Sequence, residues 1–232
     1  MIELVLIIVI IGILATLAIR NSFEFLEDSK HQSTQAELEA IARAIAGDRS
    51  LLAGGKRTDF GYVGDVGSLP ASLADLVTNP GYGTWNGPYL QNAADNGYAA
   101  DAWGTSYVYS AGTTIQSTGS GSNITKQFGS AVSDFTGNTV RGTITDARGI
   151  PPGSIYRDSV TVSVVHPDGV GGVVSSSVLP APSGTFTVGA IPAGNHTLRA
   201  VYVPLSDTVV EQISVAPGAT VTVNLTFGVA LW

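Results

Sequence analysis

Met1–Arg20 reads MIELVLIIVIIGILATLAIR, a single glutamate, Glu3, followed by sixteen uncharged residues from Leu4 to Ile19. As a helix that run would rise roughly 24 Å at about 1.5 Å per residue, close to a hydrocarbon thickness of about 30 Å. It is therefore expected to be a short membrane segment. Glu3 is the odd residue, because a carboxylate at mid-bilayer costs roughly 2.5 to 3.5 kcal/mol and so calls for a partner. A secretory signal peptide would carry basic residues ahead of the apolar run, yet nothing basic precedes Glu3, and Arg20 lies behind it. A plain anchor gives no reason for Glu3. A buried core helix would show a polar face, and this run has none.

These residues resemble the N-terminal signature of type IV pilins and of the major pseudopilins of type II secretion systems. In that family a glutamate stands fifth in a mature chain that opens on an N-methylated phenylalanine, and a prepilin peptidase removes a basic leader. Here Glu3 is third, so two residues are expected to precede Met1 in the mature chain. The resemblance implies a long helical stem, inserted in the inner membrane before assembly machinery packs many copies into an extracellular filament. Leu4, Val5, Ile8, Ile11, Gly12 and Leu14 would form the packed core, and Glu3 would neutralise the terminal amine of a neighbour.

The helix is expected to continue to Leu52. No proline or interior glycine interrupts Asn21 to Ala46, and Phe23, Leu26, Ala36, Leu38, Ile41, Ala42 and Ile45 recur at spacings near three and four. Gly12 is its weak point, and the first proline of the chain is Pro70. Residues 1–52 form the stem on this reading, 53–136 a head and 137–232 a second domain. Gly54 and Gly55 end the stem. Pro70 to Val77 is expected to be a short helix.

Three stretches of the head, LPASLADLV (Leu69–Val77), WNGPYL (Trp85–Leu90) and DAWGTSYVY (Asp101–Tyr109), resemble the major pseudopilin head. Trp85, Pro88, Tyr89, Trp103, Tyr107 and Tyr109 are expected to form its packing seam. That family binds calcium in the following loop. Here the matching stretch, Thr113–Asn123, holds no carboxylate, and a hard cation wants several charged oxygens. The site is read as lost, with Asp95, Asp101 and Asp134 the weak candidates for rebuilding it.

From Gly137 the texture changes to short β-branched runs between Gly, Pro and Asp turns: Val140–Thr145, Val160–His166, Val173–Val178, Thr185–Val188, His196–Val203, Val209–Val215 and Thr220–Phe227. Seven such runs predict an antiparallel sandwich of Ig-like dimensions. TVRGTITDARGIPPGS, GTFTVGAIPAGNHTLRAVY and ISVAPGATVTVNLTF are similar to carboxypeptidase regulatory-like and transthyretin-like domains, which bring no catalytic residues. No Lys–Asn crosslink can staple this domain, since Lys126 is the last lysine. The expected fold class is thus α+β: a long helical stem, a small pilin-like αβ head and a seven-stranded antiparallel sandwich.

Composition narrows the functions. Without cysteine there is no thiol chemistry and no disulfide. A net charge of -7 with no basic patch argues against nucleic acid as a partner. The histidines are His31, His166 and His196. His166 lies near Asp168 and Ser175–Ser177, but no nucleophile elbow or H-E-x-x-H spacing accompanies them, and strand histidines in a serine-rich sandwich are expected at the surface. No enzyme activity and no cofactor is expected. The expected function is a structural, homo-oligomeric pilin-like subunit, with a type II secretion pseudopilin as the alternative.

Overall fold

The computed structural model describes residues 2–90 and 98–232, without the side chains of Leu4 and residues 14–21. Helix α1, Ile2–Ala46, stops six residues short of Leu52. Gly47 ends it in the left-handed region, φ 77°, with its amide on the Arg43 carbonyl. A Cβ at Gly47 would sit 2.4 Å from the Asp59 carbonyl oxygen, so the chain can turn here only over glycine. Leu52–Ala53 (β1) and Lys56–Arg57 (β2) then pair across Gly54-Gly55, both at positive φ as a two-residue hairpin turn requires.

Among the described side chains of α1, burial begins only at Thr34. Thr34, Leu38, Ile41, Ala42 and Ile45 are buried, whereas Phe23, Leu26 and Ala36, expected on the same stripe, are exposed. The first core gathers Leu38, Ile41 and Ile45 with Tyr62, Val63 and Val66 of α2 (Gly61–Val66), Leu76, Ile115, Phe128 and Phe135. The helix expected at Pro70–Val77 is a single 3-10 turn, Leu73–Leu76, closed by a capping box between Ser72 and Asp75. One hairpin, β3 (Thr114–Ser117) with β4 (Ile124–Gln127), lies against α1. A short turn, α3 (Ser133–Thr136), leads into the sandwich.

The sandwich has two sheets. One has the order β10-β9-β6-β7, from Asp207–Val215, Gly194–Tyr202, Val160–Pro167 and Val173–Val178. The other is β11-β5-β8, from Thr220–Thr226, Asn138–Thr145 and Thr185–Ile191. Val140, Ile144, Val162, Val164, Phe186, Leu198, Ala200, Val215, Leu225 and Phe227 fill the space between them.

These observations correct the expected fold class. The protein is mainly β, with eleven strands in four sheets among the described residues, and it is not a membrane stem bearing a pilin-like αβ head. Nor is the sandwich wholly antiparallel, because β11 runs parallel to β5, Thr220 beside Thr139 through Thr226 beside Thr145. The reason is geometric. Each connection reverses the chain, so the first and seventh strands point the same way, and the fold places them side by side.

That parallel pairing rests on Gly142. A Cβ there would lie 1.6 Å from the Val223 carbonyl oxygen and 3.0 Å from the Phe186 ring. Gly142→Ala should destabilise the sandwich by about 1–3 kcal/mol through overpacking. A urea midpoint equal to that of the unaltered protein would show that β11 can move aside.

Candidate assembly surface

The described N-terminal part of α1 exposes its apolar side chains. Val5, Leu6, Ile7, Ile8, Val9, Ile10 and Ile11 are consecutive, and each is 48–61% exposed. At about 100° per residue they face every direction round the helix, so no single groove on the body could cover them. Ile2, Ile13, Phe23, Phe25 and Leu26 extend the surface. Glu3 and Gly12 are exposed too, and nothing lies within 4 Å of a Cβ built on Gly12. The side chains of Leu4 and Leu14 fall outside the described residues.

Among the described residues no helix is long and apolar enough to cross a membrane. The expected membrane segment is thereby corrected. The transmembrane description and the inner-membrane precursor pool built on it fall with that segment, and the extracellular localisation is left without support.

The packing residues divide into three groups. Trp85 and Tyr89 meet edge to face at 5.6 Å, and Tyr62 meets Tyr89 at the same centroid distance. Trp85 Nε1 donates to the Asp75 carbonyl, and the Tyr89 hydroxyl donates to Asp65 at 2.8 Å. Pro88 sits beside them, after a cis Gly87–Pro88 bond. Trp103 and Tyr107 instead hold α1. Trp103 Nε1 donates to Glu27 at 2.8 Å, and the Tyr107 hydroxyl donates to Glu37 at 2.5 Å. The Trp103 bond, with Lys30 behind it, keeps the Glu27 carboxyl below its ordinary range. Tyr109 reaches back to the Pro70 carbonyl.

The calcium candidates do not converge. Asp95 lies outside the described residues. Asp134 accepts the amides of Ser130 and Ala131. Asp101 is buried and accepts four bonds, from Ser117 Oγ at 2.6 Å and from the amides of Trp103, Thr105 and Gly119. Burial pushes its carboxyl up, but those donors outweigh that and hold it below its ordinary value. Among the described residues no three His, Asp or Glu side chains stand together as a metal site.

Sequence reasoning missed two features. Asp146 is fully buried, taking Arg148 as an ion pair and the amides of Arg148 and Ile150. Its D-A-R-G context is the signal that could have revealed this turn. The strand histidines expected at the surface are buried, His166 at 7% and His196 at 2% exposure. His166 Nε2 lies 2.8 Å from Ser176 Oγ, but its Nδ1 faces the Pro167 carbonyl. Asp168 spends Oδ1 on the amides of Val170 and Gly172, so no carboxylate orients that ring. A cleft of about 610 Å³ at the end of α1 is lined by Arg43, Arg49 and Lys126. Their partners are Glu39 for Arg43 and Lys126, and the Phe128 carbonyl for Arg49.

No family model matches the chain, and no curated protein does. Among solved structures, it is similar to the dioxygenase domain of a dioxygenase–carbohydrate-binding protein fusion from Streptomyces sp. SirexAA-E. That likeness has 15% identity and a TM-score of 0.31, over 41% of this chain and 82% of that one. A 9R-lipoxygenase from Cyanothece PCC8801 gives 13% identity and a TM-score of 0.25, over 39% of this chain and 16% of that one. Scores this low carry nothing about activity.

Asp101 offers a test of how the head is held. Asp101→Asn puts an amide where Ser117 and Gly119 donate, and should cost about 1–3 kcal/mol. Because the folded-state carboxyl lies below its unfolded value of about 3.9, its contribution is complete above that pH and fades as pH falls through the lowered value. The variant should therefore lose stability at neutral pH and show a flatter acid limb in thermal melts. An unchanged acid limb would place the titration elsewhere.

Proposed function

We propose that this chain is a structural subunit that polymerises through the N-terminal part of α1 into a helical, type IV pilus-like filament. The β-sandwich is carried on the outside. The observation behind this reading is the continuous exposure of Val5 to Ile11 on every side of the helix. Apolar burial is worth about 25 cal/mol per Å². A helix apolar all round gains that only when surrounded, and copies of the same helix are the surrounding that a filament core supplies.

The division of α1 supports the reading. The body reaches α1 at Glu27, through Trp103 Nε1, so about 38 Å of helix precedes that contact at about 1.5 Å per residue. Many helices could therefore bundle without their bodies colliding. The resemblance of Met1–Ala18 to the pilin signature adds Glu3 as the charge partner of a neighbouring terminus. It also adds a prepilin peptidase and a pilus-type assembly machinery as partners. The head motifs at Trp85–Leu90 and Asp101–Tyr109 leave a short secretion pseudopilus as the second reading.

Ile8→Asp should abolish assembly, since it puts a carboxylate into the bundle, while the thermal midpoint of the body stays where it was. Sedimentation and negative-stain electron microscopy of the full chain read the first effect, and calorimetry the second. Filaments of normal length in this variant would refute the role of the helix. Secretion failure on deletion of the chain, without long filaments, would favour the pseudopilus.

A further inference from the structure

The end of the sandwich core that meets the head is plugged by two histidines. His166 on β6 and His196 on β9 face the sandwich interior, their rings 6.0 Å apart and edge to face. Helix α2 packs on both strands. Gly194 brings β9 close to it, since a Cβ there would lie 3.3 Å from the Gly64 carbonyl and 2.9 Å from the His196 ring.

The surrounding oxygens fix the tautomers. His196 Nε2 lies 2.7 Å from the Pro192 carbonyl, which can only accept, so this nitrogen carries the proton. His196 Nδ1 is then a bare lone pair, and it is buried without a partner. A proton added there would have no acceptor and would place a cation in the core. His166 differs: its Nδ1 donates to the Pro167 carbonyl, and the Ser176 hydroxyl can serve its Nε2 as donor or acceptor.

The titratable neighbours are few. Beside His196 stands His166, whose charge disfavours a proton on the His196 ring. Asp168 follows β6 and is within electrostatic reach of His166. On α2 the titratable groups are Tyr62 and Asp65, and both are engaged with Tyr89. On β10 the groups are Glu211, which is exposed, and Asp207 at the far end of the strand. Neither β5 nor β8 brings a carboxylate to this end.

We propose that the His166–His196 pair is an acid-sensitive clasp on the joint between head and sandwich: neutral rings hold α2 on the sheet, and protonation of His196 opens the joint. The bonds at stake are Gly169 amide to Val66 carbonyl, Ala193 amide to Phe135 carbonyl and Gly218 amide to Asp134 carbonyl. Ser68 Oγ to the Gly169 carbonyl lies beside them.

The direction follows from burial, which pushes the His196 imidazole below its ordinary value, with the Pro192 carbonyl opposing and His166 adding to the effect. A base held below its unfolded value of about 6.5 gives its full contribution above that pH and loses it as pH falls toward the folded value. If the closed joint admits no proton, its open fraction should rise about 30-fold by pH 5.

Hydrogen exchange on the full-length protein tests this, with rates corrected for intrinsic pH dependence. The Gly169, Ala193 and Gly218 amides should lose up to about 30-fold in protection between pH 7.5 and 5, while Ile144, at the far end of the sandwich, should not. His196→Leu should remove that difference. Should this variant fail to fold, the ring resonances of His196 in the unaltered protein still decide. Titration at or above about 6.5, or joint amides that follow Ile144 at both pH values, would overturn the clasp.

Discussion

Burial of Leu38, Ile41 and Ile45 is the constraint from which the rest of the arrangement follows. These residues recur at three and four along α1 and give that helix one wet and one dry face over its last turns. The dry face is covered by Tyr62, Val63 and Val66, so α2 must lie against α1. With α2 fixed there, its other side meets β6 and β9, and Ala193 from the sandwich enters the same core as Phe135. Head and sandwich are thus coupled through a helix of six residues rather than joined by a linker.

Only part of the fold was legible in the sequence, for reasons that differ from element to element. The seven β-branched runs were readable because alternation and Gly/Pro/Asp punctuation are local properties. Which strands pair was not, since the parallel contact of β5 with β11 joins residues 81 apart and leaves no mark on either run. Gly142 stood inside a strand with the cost of a glycine and no local excuse. Its reason, the Val223 carbonyl, belongs to the other end of the domain. The stem was over-read for a related reason. Helical periodicity from Phe23 onward says which side chains share a face, but whether a body covers that face depends on where α2 comes to rest. Phe23 and Leu26 lie beyond its reach and stay exposed.

The polar groups teach the same lesson about candidate sites. Asp101, read as a candidate ligand, is saturated by donors from its own turn and from the β3–β4 hairpin. A carboxylate with four bonds inside the fold is a structural strut, holding DAWG against the hairpin. Asp134 and Asp146 likewise organise turns. The histidines were misjudged because a strand alternation assigns a face but not a depth, and the end of a sandwich is surface until something caps it. Here α2 caps it, which turns two rim residues into core residues.

The chain has limited means of keeping an exposed apolar stretch in solution. Charged residues are only 12% of it, and solubility is left to the net charge of -7 and to Ser, Thr and Gly on the strands. Such a surface has little reserve to mask seven consecutive branched aliphatics exposed on every side of a helix. The sandwich cannot fold back over them, because its contact with the head is fixed by α2 at the opposite end of α1. Shape therefore forbids the intramolecular solution. On the proposed reading the apolar segment is covered from outside, since a surface facing all directions would be satisfied by a ring of identical helices better than by any one groove.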